Sequence, residues 1–161
     1  MALDLTELTK ALIEVARLAD VTLQPCDVKT QALPAPHRRP RSLPLGSQAV
    51  YAFFLGAHCL KVGKAGPKTQ ARFTSQHYGE SAPSTLAKSI LRERSRVAAL
   101  LAADRRVEIE RLNPDSIGDW IEANTSRVHI FTPATADSFL LGLVESFAQC
   151  RFRPIFEGKA Q

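Results

Sequence analysis

Two apolar runs separated by a short turn dominate the hydrophobic pattern of this chain. The run AVYAFFLG, residues 49–56, is almost wholly apolar before its glycine, which predicts a strand buried on both faces. A Gly-Ala-His turn follows, and CLKVG, residues 59–63, supplies a return strand, so the pair predicts an antiparallel hairpin. The segment TQARFTSQHY, residues 69–78, then predicts a helix with Thr69 as its cap.

Residues 1–23 contain an amphipathic helix at the start of the chain. Apolar side chains recur at helical spacing over residues 4–20, and Asp4 followed by Glu7 is typical of a capping box. The apolar stripe must be buried, either on the rest of the chain or against a second copy, which would make a homodimer. About two heptads are too few to decide between these.

Residues 24–48 differ from their surroundings because they contain five prolines. Proline removes a backbone donor and fixes φ, so this segment predicts a linker or an extended arm that wraps the surface. It includes the basic sequence HRRPRS, residues 37–42, which either contacts nucleic-acid phosphates or stays solvated. We therefore predict three parts, which are the N-terminal helix, the Pro-rich segment and a main domain over residues 49–161.

The remaining apolar periodicities complete the predicted fold, an α/β (α+β) class with a small, mostly antiparallel three-stranded central sheet flanked by helices. They predict a helix over 86–103, a short strand over 107–110, a helix over 117–124, a strand over 127–131, a helix over 136–150 capped by Thr135, and an extended tail. The buried stripe predicted for the last helix is Phe139, Leu140, Leu143, Val144 and Phe147, with Glu145 at its flank.

Composition and cysteine spacing are those of a soluble globular protein. A chain of 161 residues with 45% hydrophobic and 23% charged side chains fits one domain with a short appendage. Cys26, Cys59 and Cys150 form neither a disulfide framework nor a Cys-x-x-Cys zinc pattern, which favours a reducing cytoplasm. No apolar run approaches the ~20 residues that span a bilayer, so we expect no membrane association.

The net charge of +5 is unevenly distributed along the chain. Residues 49–112 carry eleven basic and five acidic side chains, whereas residues 1–23 and 113–161 each have an excess of acid. This distribution is expected of a protein that meets a polyanion, and a basic surface that only favours solubility is the alternative. The candidate nucleic-acid contacts are Arg38, Arg39, Lys68, Lys88 and Arg92.

The hairpin and the helix after it carry side chains suited to a phosphate. Hydrolysing a phosphodiester requires a base for the water, a cation for the developing charge and a positive group for the phosphate. Tyr51 could be the base if positive neighbours such as Lys61 and Lys64 favoured the phenolate. Arg72 offers a forked guanidinium that binds two oxygens. Mg²⁺ needs only one or two carboxylates, and spacing alone does not identify them.

The order of these parts resembles the GIY-YIG nuclease superfamily. Ala-Val-Tyr, residues 49–51, stands at the first triplet of the family, and Lys-Val-Gly, residues 61–63, stands at the second. Arg72 stands at the helix arginine, with His77 in an Arg-x-x-x-x-His arrangement. Glu145 matches the family glutamate, in LVESFAQCRFRPIF, whose Arg-Pro-aromatic ending is typical of the family.

The resemblance covers about residues 49–157 and implies a metal-dependent endonuclease that acts on nucleic acid, on DNA in preference to RNA. In this resemblance Tyr51 would be the general base, and Lys61 or Lys64 would orient the water or lower the tyrosine pKa. Arg72 would bind the scissile phosphate, and His77 would assist Arg72 or protonate the leaving group. Glu145 would bind Mg²⁺ or Mn²⁺.

Three departures from the family pattern keep other functions open. The first triplet lacks its glycine, Lys61 replaces the tyrosine of the second, and Glu157 stands near the position where many members have asparagine. One alternative is a catalytically inactive nucleic-acid-binding module that kept the fold and the basic surface. The other is a protein-interaction domain that uses the N-terminal helix.

Overall fold

The structure, a computed structural model, describes residues 3–135 and 137–157. In chain order its elements are α1 (Leu5–Leu18), β1 (Lys29–Leu33), β2 (Ser47–Leu55), β3 (His58–Ala65), α2 (Gln70–Thr74), α3 (Leu86–Arg92), α4 (Arg94–Ala98), α5 (Arg106–Arg111), α6 (Ile117–Asn124), β4 (Ser126–Pro133) and α7 (Leu140–Phe152). Short 3-10 turns cover Pro25–Asp27, Pro67–Thr69, Gln76–Tyr78 and Ala103–Arg105. No helix within the described ranges has both the length and the apolar character needed to cross a membrane. Ala136, the predicted start of the last helix, and residues 158–161 of the predicted tail lie outside the described residues.

The centre of the fold is a four-stranded antiparallel sheet in the order β1-β4-β2-β3. β2 and β3 form the predicted hairpin, and Gly56, with φ 58°, makes its tight turn. β4 confirms the predicted third strand. The fourth strand, β1, pairs Lys29 with Phe131 and Leu33 with Arg127. The predicted three-stranded sheet was one strand short because β1 is mostly exposed and carries no apolar alternation of its own.

Side chains that alternate along β2 send two apolar sets to opposite faces of the sheet. Ala49, Tyr51 and Phe53 point to the face that α2 to α6 cover. Val50 and Ala52 point to the face that α1 and α7 cover. All five are buried, which confirms the prediction that this strand is covered on both sides.

Helix α1 is docked on the sheet of its own chain. The carboxylate of Asp4 accepts two backbone N–H groups of the first turn, at 2.9 and 3.1 Å, so the predicted cap is present. Leu8, Leu12 and Ala16 are buried in one cluster with residues of α7 and of the sheet. The apolar stripe of α1 is thus buried within its own chain.

The Pro-rich segment contributes β1 to the sheet, and its residues 34–46 form an arm packed against the domain. His37 is 7% exposed, and its Nδ1–H donates to the carbonyl of Thr125 at 2.6 Å. Its Nε2 therefore accepts the hydroxyl proton of Tyr78, at 2.8 Å. Leu43, further along the arm, is buried in the main core.

Arg127 on β4 is a fully buried cation at the centre of this packing. Its guanidinium donates to the Tyr78 hydroxyl at 2.8 Å and to the carbonyl of Phe73 at 3.0 Å. It also lies over the ring of Phe53, 4.6 Å from the centroid. Tyr78 thus joins Arg127 to His37, and the three side chains connect the sheet, the turn after α2 and the arm.

The basic helix predicted over 86–103 is divided into α3 and α4. Glu93 separates them, because its backbone (φ −118°, ψ 45°) leaves the helical region. Thr85 caps α3 by accepting the backbone N–H of Lys88 at 3.1 Å.

Two further expectations were wrong. The predicted strand over 107–110 is helical and belongs to α5, where Arg105 pairs with Glu108 one turn away at 2.9 Å. A four-residue alternation is too short to outweigh such helical contacts. The last helix begins at Leu140, not directly after Thr135, and Phe139 is 79% exposed instead of buried.

We expect the stability of the protein to fall with acid below about pH 6.5. Burial lowers the pKa of His37, and it lowers the pKa of His77 and His129 to about 3. As pH falls, the unfolded chain therefore binds protons that the folded chain cannot. The contribution of these histidines to the free energy of unfolding is fully present above the ordinary histidine pKa and is lost as pH falls below it. His77 and His129 should each contribute about 1.4 kcal/mol per pH unit between roughly pH 6.5 and 4.5.

Urea unfolding followed by circular dichroism across this pH range measures that slope. The His129→Phe variant should lose the contribution of one buried histidine, about 1.4 kcal/mol per pH unit, whereas substitution of the exposed His58 by glutamine should leave the slope intact. A free energy of unfolding that does not change between pH 6.5 and 4.5 would contradict the buried neutral histidines.

Candidate active site

Tyr51 is locked in the middle of the hairpin. It lies directly opposite Gly63, and its ring would be 2.7 Å from a Cβ placed on that glycine. Its hydroxyl donates to the backbone carbonyl of Arg72 at 2.9 Å and lies 2.8 Å from Nε2 of His77. Tyr51 is 1% exposed, so the side chain ties β2 to α2 and to the turn that follows it.

The protonation of His77 follows from its partners. The backbone N–H of Leu86 donates to Nδ1 of His77 at 3.1 Å, so the proton of the neutral ring is on Nε2 and points to the Tyr51 hydroxyl. Burial lowers the pKa of His77 to about 3, and the charges of Lys61 and Arg127 act in the same direction. The one proton of neutral His77 is therefore engaged with the Tyr51 hydroxyl and is not directed at a leaving group.

Burial also raises the pKa of the Tyr51 phenol, and the charges of Arg127 and Arg72 offset only part of the effect. A general base needs the opposite shift, toward the phenolate. Because the hydroxyl already donates to the Arg72 carbonyl, ionisation would also remove a buried hydrogen bond. The geometry suits Tyr51 to holding Arg72 and His77 in place.

Lys61 is buried on the same face of the sheet as Tyr51. Its ammonium lies 3.7 Å from the carboxylate of Glu157 and 3.4 Å from the hydroxyl of Ser84. Glu157 also accepts a hydrogen bond from Gln149 on α7 at 2.8 Å. Burial lowers the pKa of Lys61 and raises that of Glu157, and their mutual attraction offsets both shifts. Two of the three departures from the GIY-YIG pattern, Lys61 and Glu157, therefore contact each other.

Lys64 extends to the other face of the sheet, because it lies an odd number of residues from Lys61 along β3. Its ammonium contacts the carboxylate of Glu145 on α7 at 2.6 Å. Both side chains of this pair are partly exposed, at 39% for Lys64 and 22% for Glu145. β3 is an edge strand, so the Lys61–Glu157 and Lys64–Glu145 pairs lie beside the same edge of the sheet, on opposite faces.

Arg72 and Glu145 act on the same buried groups from different parts of the chain. Arg72 is exposed on α2, and its charge opposes protonation of Lys61 and favours ionisation of Tyr51. The carboxylate of Glu145 has the reverse effect on both pKa values. Tyr51, Lys61, Arg72 and His77 thus form one cluster, and Glu145 with Lys64 borders it.

A carboxylate that could hold a metal ion is that of Glu145 on α7. Within residues 3–135 and 137–157, no group of three or more His, Cys, Asp or Glu side chains is arranged to hold a metal ion. Structural zinc sites need four such ligands, whereas Mg²⁺ binds through one or two carboxylates, waters and substrate oxygens. Glu145, whose carboxylate is partly open to solvent, meets that smaller requirement.

The candidate nucleic-acid contacts differ in whether their side chains are free to meet a phosphate or already have partners within the protein. Arg38, Lys68 and Lys88 are exposed. Arg39 forms an ion pair with Glu122 and lies 4.7 Å above the ring of Tyr78, so it helps to hold the arm. Arg92 is exposed on α3 and contacts the carboxylate of Glu93 at 3.3 Å.

Sequence reasoning missed the polar residues that surround the two lysines. Glu157 was noticed only as a departure from the family pattern, and Ser84 and Gln149 were not identified as site residues. Gln149 lies one helical turn after Glu145 on α7, a spacing that places both on one face. That spacing was the available signal for Gln149, whereas the position of Ser84 depends on how the loop before α3 folds back.

No protein-family model, curated protein or solved structure matches this chain. The resemblance to the GIY-YIG superfamily therefore depends on the residues quoted above and on where the fold places them.

Gly63 should be intolerant of a side chain, since Tyr51 has no room to move away. We expect Gly63→Ala to destabilise the protein by about 1–3 kcal/mol, the usual cost of overpacking a buried site, as measured by urea unfolding. Gly66→Ala is the matched control, because nothing lies within 4 Å of a Cβ placed there. Equal stabilities of the two variants would contradict the close approach of Tyr51 to β3.

Proposed function

We propose that this protein is a metal-dependent endonuclease that hydrolyses phosphodiester bonds in nucleic acid, DNA in preference to RNA. Three groups near the hairpin support the proposal. They are Arg72, whose backbone Tyr51 holds, the buried Lys61, and Glu145, which pairs with Lys64 on the opposite face of β3. These are a phosphate-binding guanidinium, a buried amine and a carboxylate, which phosphodiester hydrolysis requires together.

In this proposal Glu145 would hold Mg²⁺ or Mn²⁺, and the bound ion would supply a Lewis acid for the phosphate oxygens. Arg72 binds the scissile phosphate through its forked guanidinium, which is exposed and free to meet a large substrate. The backbone of Arg72 is held by the Tyr51 hydroxyl, so Tyr51 acts as a positioning residue.

In this proposal Lys61 accepts a proton from the attacking water. Its burial lowers the pKa of the ammonium, so the neutral amine is more accessible than in solution. Glu157 faces the amine and can share the proton that it takes up. This assignment moves the base from Tyr51, where sequence reasoning placed it, to the neighbouring strand.

An inactive nucleic-acid-binding module is the second candidate. Glu145 already forms a close ion pair with Lys64, and the Tyr51 phenol is buried and protonated. Both features are compatible with a site that binds phosphate without turnover. A plasmid cleavage assay separates the two functions.

The wild-type protein should cleave plasmid DNA in Mg²⁺ and lose cleavage in EDTA. Glu145→Gln should reduce the rate by at least about a hundredfold, since the metal-bound charge stabilises the transition state directly. Parallel reactions with single-stranded RNA decide the substrate class, and agarose and denaturing gels measure the products.

Glu110→Gln is the matched control, because Glu110 is an exposed glutamate on α5, away from the edge formed by β3. Cleavage that Glu145→Gln retains would indicate a contaminating nuclease. Absence of cleavage by every protein, with binding intact, would replace the endonuclease proposal by the inactive module.

Binding to DNA should weaken steeply with added salt, because phosphate contacts release condensed counterions. Lys88→Gln should lower the slope of log affinity against log salt by about 0.9, the value of one phosphate contact. Lys10→Gln is the control, since Lys10 pairs with Glu7 on α1. Fluorescence anisotropy of a labelled duplex in EDTA measures both slopes, and a flat salt response would contradict a phosphate-binding surface.

A further inference from the structure

The two lysines of β3 are held in different ways. Lys61 has a side chain that is only 7% exposed and has a second contact to Ser84, besides Glu157. Lys64 is 39% exposed, and its ammonium is joined to Glu145 by a single close contact of 2.6 Å. Lys61 is therefore enclosed by its surroundings, whereas Lys64 can turn away into solvent if Glu145 releases it.

The partner of Lys64 is also the residue that the proposed function assigns to the metal. A carboxylate that accepts an ammonium at this distance presents the same oxygens that a divalent cation would require. The ammonium and the cation carry the same sign of charge, so they cannot share the carboxylate without mutual repulsion.

We infer that Lys64 is a built-in counter-ion that competes with a divalent cation for Glu145 and is released when the cation binds. This inference rests on the proposed function, since it takes Glu145 as the metal-binding carboxylate. In the metal-free protein the pair keeps the site neutral. When Glu145 accepts a cation, the Lys64 side chain is free to turn toward a phosphate at the edge of β3. Cation binding thus adds the charge of the cation at Glu145 and at the same time frees the charge of Lys64.

The size of the competition follows from the exposure of the pair. Ion pairs between partly exposed groups change an equilibrium by a factor of about two to five. Removing Lys64 should therefore tighten cation binding by about that factor. The coupling is reciprocal, so the cation must weaken the hold of Glu145 on Lys64 by the same factor.

Isothermal titration with Ca²⁺ measures the first effect without any cleavage. Lys64→Gln should bind Ca²⁺ about two to five times more tightly than the wild type, and Glu145→Gln should lose the site. Lys29→Gln, which removes the same charge from the opposite edge strand, should bind like the wild type. Equal affinities of the wild type and Lys64→Gln would overturn the inference.

The release of Lys64 can be detected directly on the wild-type protein. Acylation of lysines by an N-hydroxysuccinimide ester, quantified by mass spectrometry, should increase at Lys64 when Ca²⁺ is present. The Glu145→Gln variant should show high Lys64 reactivity with or without Ca²⁺, and Lys29 serves as the internal reference. Lys64 reactivity in the wild type that does not respond to Ca²⁺ would overturn the inference.

The outcomes separate this inference from the proposed function. Binding of Ca²⁺ that depends on Glu145 but not on Lys64 removes the counter-ion role and leaves the endonuclease proposal standing. Binding of no cation by any variant, including Lys64→Gln, overturns the counter-ion role, and the plasmid assay then decides the endonuclease proposal separately. Competition at Glu145 without DNA cleavage in Mg²⁺ keeps the counter-ion role and removes the endonuclease.

Discussion

The contact between Tyr51 and Gly63 is the constraint on which the site depends. With no side chain at Gly63, the tyrosine ring lies flat against β3, and its hydroxyl reaches both Arg72 and His77. His77 in turn accepts the N–H of Leu86, the first residue of α3. One buried ring therefore sets the position of helix α2, which carries Arg72, and of the start of α3. The two helices border the proposed site.

The outer edge of β3 is the second organising feature. An unpaired edge strand invites pairing with another chain, and the end of this chain covers it. After α7 the backbone N–H groups of Ile155 and Phe156 donate to carbonyls of β3 at 3.0 and 3.1 Å. This pairing brings Glu157 to Lys61, so the contact that protects the edge also supplies a carboxylate to the cluster.

Parts of the fold and site could be predicted where the signal was local. The uninterrupted apolar run around Tyr51 predicted a strand covered on both faces, and Asp4 predicted the start of α1, because burial and capping act within a few residues. The strand predicted over 107–110 was wrong because its alternation was short, and β1 was missed because its side chains are exposed and its partner lies about a hundred residues away.

The residue types of the site were visible in the chain, but their chemical states depend on packing. Tyr51, Lys61 and Glu145 could be chosen as candidates because a phenol, an amine and a carboxylate are what phosphate chemistry uses. Their pairings were not visible, because the ladder between β2 and β3, the placement of α7 and the return of the chain end decide which lysine meets which carboxylate. The same packing raises the pKa of Tyr51 and lowers that of Lys61, because burial disfavours whichever form is charged.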